Sequence, residues 1–289
     1  LKMAYQYQQQ IGSKKKTKFL ALKGSYHGDT LGAMSVGERD GFHKVFQPLL
    51  MDVDFIEPDD FSALENLGEN YAACIVEPLV QGAGGMRMYS KQFLQALFKV
   101  CQENNILFIC DEIFTGFYRT GKFFSFEHAG IQPDLVCLSK GLTGGYLPMS
   151  LTVANGKIFD AFLADGMDMA FLHGHSYTAN PIACAAALKS LELLERVECQ
   201  ERIQAIASQT RVHLNTLNDN ENISNIRNLG TIGAFDVGSA GGYFSGSFSK
   251  DFSKLCQQKG ALIRPLGETV YTVPPYCTTD MQLDRIYGS

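Results

Sequence analysis

The chain has 289 residues, 45% hydrophobic and 19% charged, with a formal net charge of −5. That is enough apolar material for a sizeable core, and the length leans toward two domains or one domain with a large appendage. The mildly acidic balance argues against a nucleic-acid binder. The one basic cluster, Lys14, Lys15, Lys16 and Lys18, is short, lacks interleaved aromatics and reads as a solvated turn. Eight cysteines form no CxxC pair, and Cys74, Cys110 and Cys137 fall inside apolar runs, which points to free thiols, a reducing compartment and the cytoplasm by default. No stretch has the pattern of a signal peptide or the apolar length to span a bilayer.

Leu1 opens directly into LKMAYQYQQQ, a helix-like stretch with no capping residue before it, so a chain truncated at its N-terminus is expected. KFLAL (Lys18 to Leu22) reads as a short buried strand, followed by a turn rich in Gly, Ser and His. AACIV (72–76) is a second strand, ending at Glu77-Pro78. From Lys91 to Asn104, Phe93, Leu94, Leu97, Phe98 and Cys101 recur at helical spacing. ILFIC (Ile106 to Cys110), DLVCLS (Asp134 to Ser139) and SLTVA (Ser150 to Ala154) are further strands. A long helix is expected after Thr178-Ala179-Asn180-Pro181, and another from about Gln200 to Leu217. Beyond Glu221 short strands are expected at TIGAFDV, ALIRP and TVYTVPP, with DFSKLCQQKG as a helix ending at a glycine. GSAGGYFSGSFS, from Gly238 to Ser249, reads as a flexible loop.

Strands alternating with helices predict an α/β fold: a mostly parallel sheet flanked by helices, in a large domain over 1–200, with a small α+β domain over 201–289. Ligands in such sheets bind beyond the carboxyl ends of the strands. Glu77, Asp111 and Lys140 all fall at those ends. Lys140 follows an apolar strand and precedes Gly141, a setting in which partial desolvation would make an amine a better nucleophile. Asp111, emerging from ILFIC, needs a cationic partner. Arg119 is one candidate, and a protonated pyridine nitrogen is another. Taken together, a strand-end acid and a strand-end lysine suggest a pyridoxal phosphate (PLP) site, where the acid keeps the ring nitrogen cationic.

Four segments carry a family resemblance: LKGSYHGDTLGAMSVG (Leu22 to Gly37), IVEPLVQGAGGMRMY (Ile75 to Tyr89), the run from Cys110 to Gly145 that contains DEI, RTG, PD and SKG, and HGHSYTANPIACAAAL (His173 to Leu188). They resemble the class III aminotransferases of PLP fold type I, over nearly the whole chain. GAGGMRMY and ALIRPLGETVYTVPPY (Ala261 to Tyr276) are similar to the branch of that class serving biotin synthesis. The resemblance implies transfer of the amino group of S-adenosyl-L-methionine to 8-amino-7-oxononanoate by a homodimer with shared sites. It also implies roles by position. Lys140 would hold PLP as a Schiff base and shuttle the proton, Asp111 would pair with the pyridine nitrogen, and Tyr26 would stack on the ring. Gly174, His175 and Ser176 would approach the cofactor phosphate of the neighbouring subunit. Arg264 would bind the acceptor's carboxylate, with Tyr271 lining that pocket.

Three departures bear on this. The family's Gly-Ser phosphate cup and substrate-clamping aromatics would lie upstream of Leu1. Phe114 stands where many class III enzymes have glutamine, which removes a hydrogen-bond donor toward the cofactor. Gly82 to Gly85 stand where many ω-amino-acid members carry a second glutamate, which fits a donor other than glutamate or ornithine. The alternatives are another class III enzyme acting on an ω-amino acid, and a catalytically incomplete fragment. A metal pair at His173 and His175 lacks a completing carboxylate or cysteine cluster, and no GxGxxG or Walker pattern follows a strand.

Overall fold

The computed structural model of the chain describes residues 1–38, 44–65, 67–238 and 248–289. It forms two compact units. The first is made of Leu1–Gly84, Tyr89–Thr115 and Phe126–Ser190, the second of Gly85–Met88, Gly116–Ser125 and Leu191–Ser289.

In the first unit, helix α1 (Lys2–Gln10) leads into strand β1 (Lys18–Leu22). Then come β2 (Val53–Ile56), β3 (Tyr71–Val76), helix α2 (Lys91–Glu103), β4 (Leu107–Asp111), β5 (Leu135–Leu138) and β6 (Leu151–Ala154). The sheet order is β2-β1-β3-β4-β5-β6, parallel throughout except for the antiparallel β5–β6 pair. Successive residues of a strand point to opposite faces, and the two faces here have different neighbours. Phe19, Ala21, Ala73, Ile75, Leu107 and Ile109 pack in one cluster with Ala4 and Tyr7 of α1. On the other parity, the Phe108 ring meets Phe98 of α2 edge-on, with centroids 5.3 Å apart. Helices on both faces are why these strands read as unbroken apolar runs. β6 differs: it is an edge strand, and its Leu151 and Val153 are exposed. Helix α2 starts where its sequence says it should, because Ser90 Oγ accepts from Phe93 N at 3.1 Å.

Helix α3 (Pro181–Leu194) begins after Asn180, whose side-chain oxygen accepts from Ile182 N and Ala183 N at 3.1 Å each. Its last turn already belongs to the second unit. There α4 (Val197–Asn215) lies over the strands β7 (Ile223–Leu229) and β8 (Ile232–Val237) and beside α6 (Asp280–Tyr287). Helix α5 (Phe248–Gln258) precedes β9 (Thr269–Thr272), and the three strands form an antiparallel sheet in the order β9-β8-β7. The sequence-based boundary between residues 200 and 201 falls inside α4, whereas the units divide at Ser190 and Leu191.

The structure corrects several local expectations. ALIRP (261–265) is not a strand; Pro265 has no N–H to give a ladder, and pairing resumes only at Thr269. β2 and β7 carry no strong strand signal, β2 because VDFI sets Asp54 among its apolar residues and β7 because ISNIRNL mixes in four polar side chains. Lys16 is buried, not solvated: its ammonium donates to the carbonyls of Glu69 at 2.6 Å and Asn104 at 2.8 Å, and burial lowers its pKa. Most of the loop expected over 238–249 lies outside the described residues; Phe248 and Ser249 open α5.

Candidate active site

β4 and β5 are parallel neighbours, and Asp111, the last residue of β4, sits opposite Cys137 of β5. Lys140 follows three residues later, in a turn just past the end of β5, so both residues stand at the same edge of the sheet. This edge is where a doubly covered parallel sheet offers its ligand crevice.

The Asp111 carboxylate is buried. Its Oδ1 accepts from Ile113 N at 3.1 Å, and its Oδ2 is 2.7 Å from Nδ1 of His27. A carboxylate accepts, so Nδ1 carries the proton. The partner is therefore His27 and not Arg119. Arg119 belongs to the second unit, where it donates to Thr231 Oγ1 and the Pro274 carbonyl, both at 2.9 Å, and lies 4.7 Å from the Tyr276 ring centroid. His27 Nε2 is buried and has no hydrogen-bond partner among the described residues.

His27 is placed by the turn after β1. Within it, Tyr26 N donates to Glu77 Oε1 at 2.8 Å, and Glu77 Oε2 accepts from Gly82 N at 2.9 Å. Glu77 is thus the clamp between the turn that carries His27 and the one that starts at Gly82. Burial pushes its carboxyl up to about 7, helped by the Asp111 charge, while His27 and the two backbone amides pull the other way. Gln81 Nε2 adds a bond to the Lys23 carbonyl at 2.8 Å. Gly84 lies against the same turn: a Cβ there would stand 2.2 Å from the Gly24 carbonyl oxygen, so no other residue fits. The Tyr26 hydroxyl donates to Asp29 Oδ2 at 3.0 Å; partial burial first, and the Asp29 carboxylate second, raise its pKa and keep it a donor.

Lys140 departs from expectation in one respect. It is exposed rather than desolvated, because it stands beyond the last paired residue of β5, Leu138. Its φ of 45° is unusual for a residue with a side chain, and its ammonium lies 5.5 Å from the ring centroid of Phe114.

The other expected residues lie elsewhere. Gly174, His175 and Ser176 are on an exposed turn before α3, closed by His175 N donating to Thr178 Oγ1 at 3.0 Å and Tyr177 N donating to His175 Nδ1 at 3.1 Å. None of their hydrogen bonds among the described residues reaches Asp111 or Lys140. His173 Nδ1 accepts from Lys2 Nζ at 3.2 Å. Arg264 is exposed on the coil before β9, and Tyr271 lies on β9 opposite Ala234; both belong to the second unit. Neither His27 nor Asp29 stands out in the sequence pattern. The signal for His27 was its place directly after Tyr26, in a turn following a buried strand.

The residues of the first unit fit PLP. A buried carboxylate held by a histidine suits a cationic ring nitrogen, and a lysine amine stands at the neighbouring strand end. A family model described as "Aminotransferase class-III" matches residues 1–289. An adenosylmethionine-8-amino-7-oxononanoate aminotransferase of Synechococcus elongatus is 43% identical, over all of this chain and 72% of its own length. The crystal structure of the enzyme of that name from Methanocaldococcus jannaschii has a TM-score of 0.90 at 34% identity, covering 99% of this chain and 70% of that one. An amine transaminase from an uncultivated Pseudomonas species, in its PLP-bound form, has a TM-score of 0.91 at 29% identity, with 99% and 71% covered. By its fold, its strand-end residues and a match over its whole length, the chain belongs to the class III aminotransferases, enzymes that work with PLP.

Proposed function

We propose that this chain moves the amino group of S-adenosyl-L-methionine to 8-amino-7-oxononanoate, giving 7,8-diaminononanoate. The observation that carries the reading is the pairing of Lys140 with the His27–Asp111 dyad at adjacent strand ends, in a chain whose whole length matches relatives that bear this activity in their name.

PLP, when bound, supplies an electron-withdrawing ring that makes the proton on an amine-bearing carbon acidic. Asp111 accepts a hydrogen bond from the ring nitrogen and holds it cationic. His27 Nδ1 fixes the carboxylate in the orientation this requires. Lys140 Nζ would hold the cofactor at rest and, once released as a free amine, would take a proton from the amine-bearing carbon of the donor and later deliver one to the former ketone carbon of the acceptor. Tyr26 contributes its ring as a wall for the cofactor. Arg264 offers a bidentate contact to the acceptor's carboxylate, with Tyr271 in the same pocket. The two half-reactions use one site in turn, which gives ping-pong kinetics.

A homodimer is part of this reading. The first unit exposes Tyr146, Leu151, Val153, Leu163, Met167 and Leu172, apolar side chains that a partner could cover. In that dimer His175 and Ser176 serve the phosphate of the other copy's cofactor. No helix among the described residues is long and apolar enough to cross a membrane, and the eight cysteines are all free, which supports a reducing, cytoplasmic setting.

The test is spectroscopic. S-adenosyl-L-methionine added to PLP-loaded protein should abolish the absorbance band of the lysine-bound cofactor, and the oxononanoate should restore it. Bleaching by lysine or another amine, but not by S-adenosyl-L-methionine, would reassign the donor. A band that persists with every amine would sink the transaminase reading.

A further inference from the structure

Phe114 lies three residues past Asp111, in the turn that leaves β4. Two neighbours of its ring stand out. The face carries the Lys140 ammonium, 5.5 Å from the centroid. The Cγ–Cδ1–Cε1 edge rests against the bare backbone of Gly82: a Cβ at that position would stand 2.9 Å from Cδ1, 3.2 Å from Cγ and 3.3 Å from Cε1. At 2.9 Å the first of these is shorter than real Cβ contacts, so any larger residue at 82 would force the ring to shift. Gly82 cannot withdraw, because its N–H is tied to Glu77 Oε2 at 2.9 Å and Glu77 is itself tied to Tyr26 N.

We propose that Phe114 is a positioning residue for the site lysine: its ring, seated on Gly82, is the platform that fixes where Lys140 Nζ stands. The proposal rests on the reading of Lys140 as the cofactor lysine. The backbone of Lys140 is in the left-handed region, unusual for a residue with a side chain, and this turn aims the side chain so that its ammonium lies over the Phe114 ring. A cation over an aromatic face is held by the ring's charge distribution as well as by its shape. Phe114 and Gly82 therefore act as a pair, and the lysine feels a change at position 82 through the ring.

The experiment is a double-mutant cycle on the full chain, read by stopped-flow absorbance as PLP combines with cofactor-free protein. Borohydride reduction and peptide mass then report whether Lys140 is the residue modified. Phe114→Tyr keeps the ring and should keep the wild-type rate. Phe114→Leu keeps much of the volume but loses the ring face, and should slow the reaction about threefold. Gly82→Ala, which displaces the ring from its place under Lys140 Nζ, should slow it about tenfold, of the order that small misplacements of a reacting group cost. In a Phe114→Ala background Gly82→Ala should change the rate less than twofold, because the ring it displaces is gone. Gly82→Ala slowing the reaction equally in both backgrounds, or Phe114→Leu matching wild type, would overturn the proposal. Should Gly82→Ala fail to fold, the comparison of Phe114→Tyr with Phe114→Leu decides it. Wild-type protein that forms no bond between PLP and Lys140 would bring down the cofactor-lysine reading and this proposal together, an outcome distinct from the other two.

Discussion

Glu77 is fully buried, with Tyr26 N and Gly82 N on its two oxygens and the His27 and Asp111 charges nearby. Its carboxyl titrates at about 7 in the folded chain against 4.5 for an ordinary glutamate. The folded state therefore binds the proton more tightly than the unfolded one. The stability this contributes is fully present below pH 4.5 and is lost as pH rises through about 7. The difference amounts to about 3 kcal/mol by linkage. Urea unfolding of cofactor-free protein at pH 5 and pH 8 should show that fall in wild type and a much flatter profile in Glu77→Gln. Equal pH slopes in the two proteins would show that Glu77 is charged throughout. Asp111 is tested through chemistry instead. Asp111→Asn keeps the shape but loses the charge that, on the proposed reading, holds a ring nitrogen cationic. Turnover should fall about 100-fold or more, ~3 kcal/mol of transition-state stabilisation, with circular dichroism unchanged. At this scale the sequence made Lys140 and Asp111 legible, because strand-end residues stand out against apolar runs. It did not reveal that the hydrogen-bond partner of Asp111 is His27. The two are 84 positions apart, and only the β1-β3-β4 pairing brings the turn after β1 to the end of β4.

Elements were legible where one physical signal dominated. α2 announces itself by Ser90 and its apolar spacing, and β3, β4 and β5 by unbroken apolar runs between two helical layers. Elements with mixed signals were missed: β7, half exposed and rich in asparagine, gains its order from β8 across the sheet. The β7–β8 hairpin turns through Gly230 at φ 57°, and a Cβ there would lie 2.3 Å from the Thr120 carbonyl carbon and 2.5 Å from Gly121 N. Thr231 N also donates to the Arg119 carbonyl at 3.1 Å, so the hairpin turn and the 119–121 turn are fitted to each other. Gly230→Ala combines a disfavoured φ with a backbone clash and should cost about 2–4 kcal/mol. Thermal unfolding of the variant checks this, and a loss under ~0.5 kcal/mol would mean that the two turns separate freely.

At the scale of the whole molecule, cofactor binding and folding are linked. Ligand that binds only the folded state at 100 times its dissociation constant adds about 2.7 kcal/mol, roughly 5–10 °C in Tm for a domain of this size. PLP should produce a rise of that order in wild type and less than half of it in Lys140→Ala; equal rises would mean that Lys140 adds nothing to binding. The sequence by itself determined the alternation of strands and helices, the family, and the strand-end places of Lys140 and Asp111, because each is written in local pattern or in contiguous motifs. The tertiary structure alone decided which charges meet: His27 on Asp111, Glu77 between two turns, Arg119 on Tyr276 instead of Asp111. It also decided that Lys16 is buried and Lys140 exposed. The reason is physical. Burial and electrostatics depend on which residues distant in the chain share a volume, and local periodicity carries no record of that.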